Sequence, residues 1–279
     1  MNRPTQAAKA ERFRLLHERN GAFVIPNPWD AGSARILANL GFEAFTTTSA
    51  GLAFSLGRQD GAGLISRTEA LANARAIVDA TDLPVAADLE NGYGHSPDAV
   101  AETIRLAGEE AGLVGASIED SSGDPRRPVY DFAHAVERIA AAAQTARALP
   151  FHFVLVGRAE NYLHGRPDLD DTIRRLQAFE AAGANALFAP GLTRAEDIRT
   201  VCAAVSAPVN VVIGLKGAPF SVSELSALGV RRISVGSSLS RAALSGMARA
   251  AAEILEHGTF SYTDDLLPFA TVNALMVGV

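Results

Sequence analysis

The sequence predicts a (β/α)₈ barrel of the TIM type. Three observations point there: eight short apolar β-type runs alternate with eight longer amphipathic runs, the strands are too uniformly apolar to be half exposed, and glycines punctuate the returns into strands. The expected strands are Phe23–Pro26, Ala44–Thr47, Val85–Asp88, Gly115–Glu119, Phe153–Arg158, Ala186–Ala189, Val209–Ile213 and Arg232–Val235. Helical stretches rich in Ala, Leu, Arg and Glu follow them near 31–40, 66–80, 97–111, 132–148, 169–182, 194–204, 221–228 and 238–256. A helix around 7–19, within an N-terminal segment 1–20, precedes the first strand and would cap the barrel bottom. Gly41, Gly112, Gly183 and Gly229 each close a helix just before the next strand, as C-terminal glycines do. No linker, low-complexity segment or composition shift divides residues 1–279, so one domain is expected. An open doubly wound sheet is disfavoured because no G-x-G-x-x-G opens the first helix.

Composition narrows the function. The 279 residues are 48% hydrophobic and 20% charged with a formal net charge of -6, which suits a well-buried soluble protein and lacks the basic stripe of a nucleic-acid surface. No nucleic-acid partner is therefore expected. The six His residues form no His-x-x-x-His pair, so the zinc protease pattern is missing. Cys202, the single cysteine, excludes an internal disulfide and fits a reducing, cytoplasmic compartment; in RTVCAAV it reads as a packed structural thiol. MNRPTQAAKAERF is charged where a signal peptide is apolar. The apolar C-terminal tail within 257–279, LLPFATVNALMVGV, is too short and too interrupted by Pro268 and Asn273 to cross a bilayer. No membrane partner is expected, and the tail reads as a segment buried against the core or a neighbouring subunit.

Barrel enzymes of this type gather their site at the C-terminal strand ends, where eight loops meet. Those ends are polar here. They carry Asn27, Trp29 and Asp30; Thr46, Thr47, Thr48 and Ser49; Asp88 and Glu90; Glu119 and Asp120; Arg158, Glu160 and Asn161; Asn210; and Gly236, Ser237 and Ser238. Only the sixth strand, ending FAPG, brings no polar side chain. If the pleat of the third strand continues to Glu90, then Asp88 and Glu90 share a face, with Glu119 one strand away. Three carboxylates in one mouth repel, and a hard divalent cation such as Mg²⁺, with Mn²⁺ as a substitute, relieves them. A lone acid at a strand end is more commonly a helix cap or turn former; three on adjacent strands are not. Arg158 either pairs with these acids or clamps a substrate carboxylate. TTTSAGLA reads as a loop offering backbone N–H groups to an anion.

The same motifs resemble those of the isocitrate lyase and phosphoenolpyruvate mutase superfamily over most of the chain. NPWDAGSARI is similar to its opening segment, TTSAGLAFSLGRQDG to its substrate loop and mobile segment, VAADLENGYG to its metal motif, GASIEDS and VGRAEN to the ends of its fourth and fifth strands. The resemblance implies a modified barrel that assembles as a homodimer or homotetramer, often exchanging the last helix with a neighbour. It implies Mg²⁺ held by Asp88, with Glu90 and Glu119 acting largely through water. It also implies that Thr47, Thr48 and Ser49 bind the carboxylate and oxo group of a small-molecule carboxylate substrate, that Arg158 and Asn210 add contacts, and that Asp60 rides a gating segment. Glu90 stands where the superfamily usually has Asp.

A larger departure follows Glu119. The lyases for isocitrate and methylisocitrate carry a Lys-Lys/Arg-Cys-Gly-His loop whose Cys is the catalytic acid, whereas here the segment is SSGDPRRPVYD. FAPG also lacks the mutase's His. The expectation is a Mg²⁺-dependent carbon–carbon lyase of a small 2-hydroxy or 2-oxo dicarboxylic acid that works through an enolate, other than the isocitrate or methylisocitrate lyases proper. Phosphorus–carbon chemistry of the mutase or phosphonopyruvate hydrolase type is the alternative, as is a 2-oxo acid binding protein without turnover. Ser121, Ser122, Asp124, Arg126 and Arg127 are the loop groups available to replace the Cys, with Arg126 or Arg127 placed to attract a second carboxylate. Tyr93, a phenol beside the metal motif, reads either as a proton donor or as a packing residue at a turn.

Overall fold

A computed structural model describes residues 3–214 and 220–277, so Met1, Asn2, Gly278 and Val279 of the terminal segments lie outside the described residues. Eight parallel strands form one sheet in the order β1-β8-β7-β6-β5-β4-β3-β2. They are β1 (Phe23–Ile25), β2 (Phe45–Thr46), β3 (Val85–Asp88), β4 (Gly115–Glu119), β5 (Val154–Arg158), β6 (Ala186–Phe188), β7 (Val209–Val212) and β8 (Arg232–Ser234). Each expected strand is present, most of them shorter by a residue or two. The seam between β1 and β2 is closed by one backbone hydrogen bond, Thr46 N to Pro26 O at 3.2 Å. Asn27 reinforces it: its Nδ2 donates to Thr47 O (2.9 Å), while its Oδ1 accepts from Val235 N (2.9 Å).

Among the described residues eleven α-helices accompany this sheet: α1 (Gln6–Glu18), α2 (Ala31–Asn39), α3 (Ser49–Ser55), α4 (Arg67–Ala80), α5 (Pro97–Glu109), α6 (Phe132–Ala148), α7 (Leu169–Ala182), α8 (Ala195–Ala204), α9 (Val222–Ala227), α10 (Ser238–His257) and α11 (Phe269–Met276). Gly41, Gly112, Gly183 and Gly229 adopt φ of 93°, 72°, 110° and 97°, the left-handed region that lets a helix stop and the chain turn into a strand. Cys202 is a half-buried residue of α8 whose thiol is pushed up to about 11 by burial, in keeping with a packed structural thiol.

Two apolar layers hold the barrel. Inside it, Phe23, Ile25, Ala86, Val154, Val156, Ala186 and Phe188 meet Ala10, Phe13 and Leu16 of α1, so the expected N-terminal helix does plug the bottom. Between strands and outer helices lies the larger layer, with Ile77, Ile104, Ile118, Leu155 and Phe179 completely or almost completely buried. Among the described residues no helix is long and apolar enough to cross a membrane.

Two expectations need correction. TTTSAGLA is not a loop throughout: Thr48 Oγ1 caps Gly51 N (3.2 Å) and starts the seven-residue α3, a helix too short to show a 3.6-residue apolar period. The tail is not buried against its own core, since Leu266, Leu267, Phe269 and Val277 are 59–83% exposed in the single chain. Its α11 rests on α2, where Asn39 Nδ2 donates to Leu275 O at 3.3 Å.

Candidate active site

The C-terminal mouth of the barrel brings the expected acids and Arg158 together. Glu119 and Arg158 are register partners on β4 and β5, and Asp88 pairs with Ser117 one step below. Arg158 Nη1 lies 3.3 Å from Asp88 Oδ1 and 3.2 Å from Glu119 Oε2, while its Nε binds Glu160 Oε1. Phe188 supports the guanidinium from below, 5.1 Å from Cζ to ring centroid. Arg158 therefore partners the acids.

Asp88 is held from the other side by Ser49. Its Oδ2 accepts from Ser49 Oγ (2.9 Å) and Ser49 N (3.4 Å). Thr47 and Thr48 spend their hydroxyls elsewhere: Thr47 Oγ1 accepts from Asp88 N (3.1 Å), and Thr48 Oγ1 forms the α3 cap. Of the three, only Ser49 turns a hydroxyl to the acids. Asn210 donates from Nδ2 to Ser234 Oγ (3.0 Å), and its Oδ1 has no partner among the described residues.

Glu90 reaches the mouth differently from the expectation. The pleat ends at Asp88; Leu89 turns into the core, and Glu90 sits at φ 47° and Tyr93 at φ 56°. Such left-handed conformations cost roughly 1–2 kcal/mol per non-glycine residue, so something must hold them. Arg138, 1% exposed, donates to the carbonyls of Gly94 (2.7 Å), His95 (2.6 Å) and Asn91, and Thr103 Oγ1 donates to Gly92 O (2.7 Å). Gly94 is required by space as well, because a Cβ there would stand 2.5 Å from Ala99 Cβ.

Crowding shows in the acids' titration. Burial, then Asp88 and Asp60, push Glu90 up to about 7. Glu119 is pushed well above the carboxylate range, chiefly by burial, with Glu160, Asp88 and Glu90 adding to it against Arg158. Asp60, at the rim among Gly57, Gly61 and Gly63, all at positive φ, is raised by burial and by Asp88. Burial and the same acids raise the phenol of Tyr93. This is a hard, oxygen-only donor set with excess negative charge, which fits a divalent cation. Among the described residues no three His, Cys, Asp or Glu side chains form a ready ligand group.

The SSGDPRRPVYD segment folds into a tight hairpin. Ser121 bridges Val129, Ser122 N donates to Pro128 O (2.8 Å) and Tyr130 N to Asp120 O (2.8 Å). Its arginines point away from the acids: Arg126 has a side chain 91% exposed and pairs with Asp124, and Arg127 lines a separate cleft with His95 and His134. Neither is placed for a substrate's second carboxylate. Asp120 is structural, 2% exposed, and accepts from Glu160 N (2.8 Å) and Arg175 Nη1 (3.0 Å). Ser121 Oγ, however, lies 3.1 Å from His164 Nε2. Both line a cavity of about 420 Å³ with Asp60, Glu90, Glu119 and Arg158.

Comparison with known proteins places the chain in a family. The profile described as Phosphoenolpyruvate phosphomutase matches residues 13–255. The chain belongs to this phosphoenolpyruvate phosphomutase family. Its relatives include the oxaloacetate decarboxylase of Bradyrhizobium sp. (strain BTAi1 / ATCC BAA-1182), 35% identical over 74% of this chain and 70% of the relative. A solved lyase/mutase-type protein from Burkholderia cenocepacia J2315 is 56% identical with a TM-score of 0.95, covering 98% of this chain and 97% of that one. Oxaloacetate acetylhydrolase in complex with the product oxalate is 26% identical with a TM-score of 0.87, covering 98% and 94%. Within this phosphomutase-family barrel, sequence reading missed His164 and gave Glu160 no role. Glu160 shares the pleat period with Arg158, which was the available signal; His164 lies one turn beyond Glu160 and had none.

Proposed function

We propose that the protein is a Mg²⁺-dependent carbon–carbon lyase, with Mn²⁺ as a substitute, acting on a small 2-hydroxy or 2-oxo dicarboxylic acid. The observation that carries this is the cluster of Asp88, Glu119 and Glu160 on the single guanidinium of Arg158, with Glu90 and Asp60 at the same mouth. Family relatives that cleave such acids, among them a 2,3-dimethylmalate lyase 29% identical over 228 residues, support it. Asp88 would hold the cation directly, with Glu90 and Glu119 through water. When bound there, the cation would supply Lewis-acid stabilisation of negative charge developing on a substrate oxygen.

The chain's own groups do the rest. Ser49 N–H and Oγ–H, which donate to Asp88, and Arg158, which pairs with it, can each exchange that partner for a substrate carboxylate. Asp60, on its glycine-flanked segment, lines the mouth beside Ser49 and Arg158 and is the acid that a gating segment would carry over it. Where the related lyases use a loop Cys, Ser121 and His164 offer a hydrogen-bonded pair, so His164 Nε2 can hold the proton that Ser121 Oγ delivers to the departing carbon. Tyr93 packs its ring at the turn and lines the same mouth as Glu90 and Glu119, beside which its phenol can also serve as a proton donor.

The reaction is tested by deuterium exchange at C3 of pyruvate and related 2-oxo acids, with and without Mg²⁺. Mg²⁺-dependent exchange without turnover of isocitrate or 2-methylisocitrate is the expected result. No exchange with any such acid sinks the lyase reading, and tight binding without exchange leaves a 2-oxo acid binding protein. Release of phosphate from phosphonopyruvate would instead assign phosphorus–carbon chemistry.

A further inference from the structure

Below the mouth, the barrel interior holds a second arginine. Arg232 begins β8 and pairs in register with Phe23 of β1 and Asn210 of β7, both inward-facing. Its guanidinium lies 5.9 Å from the ring centroid of Phe13 in the α1 plug and lines a cavity of about 190 Å³. The outer wall of that cavity is Ser49, Asp88 and Arg158. Arg232 is 3% exposed, and among the described residues it has no carboxylate partner, with Nε and Nη1 unpaired. Asn210 Oδ1, beside it, is also unpaired.

The two arginines are electrostatic opposites. Arg158 faces three acids, whereas Arg232 faces none. Burial pulls Arg232 down to about 10, which leaves it charged at neutral pH. A buried cation without a counter-ion is costly, and a guanidinium's planar fork matches a carboxylate. The cavity has the volume of several waters at ~30 Å³ each, enough for a small organic acid and too little for a large one.

We propose that Arg232, beside Asn210, is the inner anion subsite and takes the distal carboxylate of a small dicarboxylic acid whose 2-oxygen end sits at Asp88 and Arg158. This rests on the lyase reading of the mouth and names the feature of the substrate that the mouth alone does not select. It also supplies the second-carboxylate site that the exposed Arg126 cannot.

Malate and 2-hydroxybutyrate test it, because they differ only in a terminal carboxylate against a methyl group. Calorimetry of the Mg²⁺-loaded wild-type protein is expected to show malate bound at least about tenfold tighter. In R232M that preference disappears while 2-hydroxybutyrate binding stays within about twofold, and R232K retains part of it. Without ligand, R232M is expected to unfold at a higher temperature than wild type, since an uncompensated buried charge has been removed; a purely structural arginine would give a lower one. An unchanged malate preference in R232M, or equal loss of both acids, overturns the subsite. Wild-type protein that binds 2-hydroxybutyrate without preferring malate overturns the subsite alone. Wild-type protein that binds neither acid overturns the reading of the mouth beneath it.

Discussion

Asp88 is the residue through which the mouth is organised: Ser49 donates to one oxygen, Arg158 and the Glu90 amide to the other. If it is the direct cation ligand, Asp88→Ala abolishes Mg²⁺ binding measured by calorimetry, while Glu90→Gln weakens it without abolishing it, because a water-mediated contact survives as a hydrogen bond. Unchanged affinity in Asp88→Ala would overturn the ligand assignment. His164 makes a different kind of contribution. Its imidazole meets the site through Ser121, so His164→Gln is expected to lower turnover by roughly 10²-fold, the scale of a lost proton-transfer group, with ligand affinity within about twofold. A parallel fall in turnover and affinity would make the pair a support for the hairpin only. At this scale the strand-tip rule located Asp88, Glu119 and Arg158 because inward strand positions are periodic. It passed over Arg232 because the rule looks at strand ends, and Arg232 stands at a strand's start.

Among the elements, the strands and outer helices were legible because each is long enough to show its period and is closed by a cap or glycine. α3 was not, since its seven residues span barely two turns, and the left-handed Glu90 was not, since no composition marks a non-glycine residue at positive φ. α1 was legible as an extra helix, but its titratable plug was not. His17 is 7% exposed between the rings of Phe13 (4.7 Å) and Phe23 (5.0 Å), with Nδ1 on Phe13 O at 2.8 Å and Nε2 unpaired. Burial, then Arg232, depress it to about 3 from an unfolded value of 6.5. Between those values the unfolded state binds more protons, so this contribution is fully present above pH 6.5 and is lost as pH falls toward 3. The limiting slope is about 1.4 kcal/mol per pH unit. Thermal melts from pH 8 to 4.5 should therefore show wild-type Tm falling below pH 6.5 more steeply than that of His17→Phe, which keeps the apolar plug. Parallel curves would mean that His17 does not stay neutral in the folded protein.

For the whole molecule, the barrel explains every element except the last two helices. α10 buries only Ser240, and Leu244, Met247, Ile254 and Leu255 are 38–85% exposed along it, followed by Phe260, Leu266, Leu267 and Phe269. So continuous an apolar surface is uncommon on a monomer. Trp29 and Phe54 form a cleft with Leu244 and Met247, of about 180 Å³, which gives an incoming apolar side chain a seat beside the barrel wall. A homodimer or homotetramer that packs α10 and α11 against a neighbour, exchanged or not, covers this surface and meets the expectation that the tail is buried between subunits. Light scattering on the purified chain should then give a mass of two or four times 29.2 kDa. Leu255→Glu combined with Phe269→Glu should shift it to one, because two carboxylates cannot be desolvated in an apolar interface. The substitutions lie outside the barrel core, so the monomer should remain folded by circular dichroism. A wild-type monomer at micromolar concentration would show that the apolar surface serves something other than self-association.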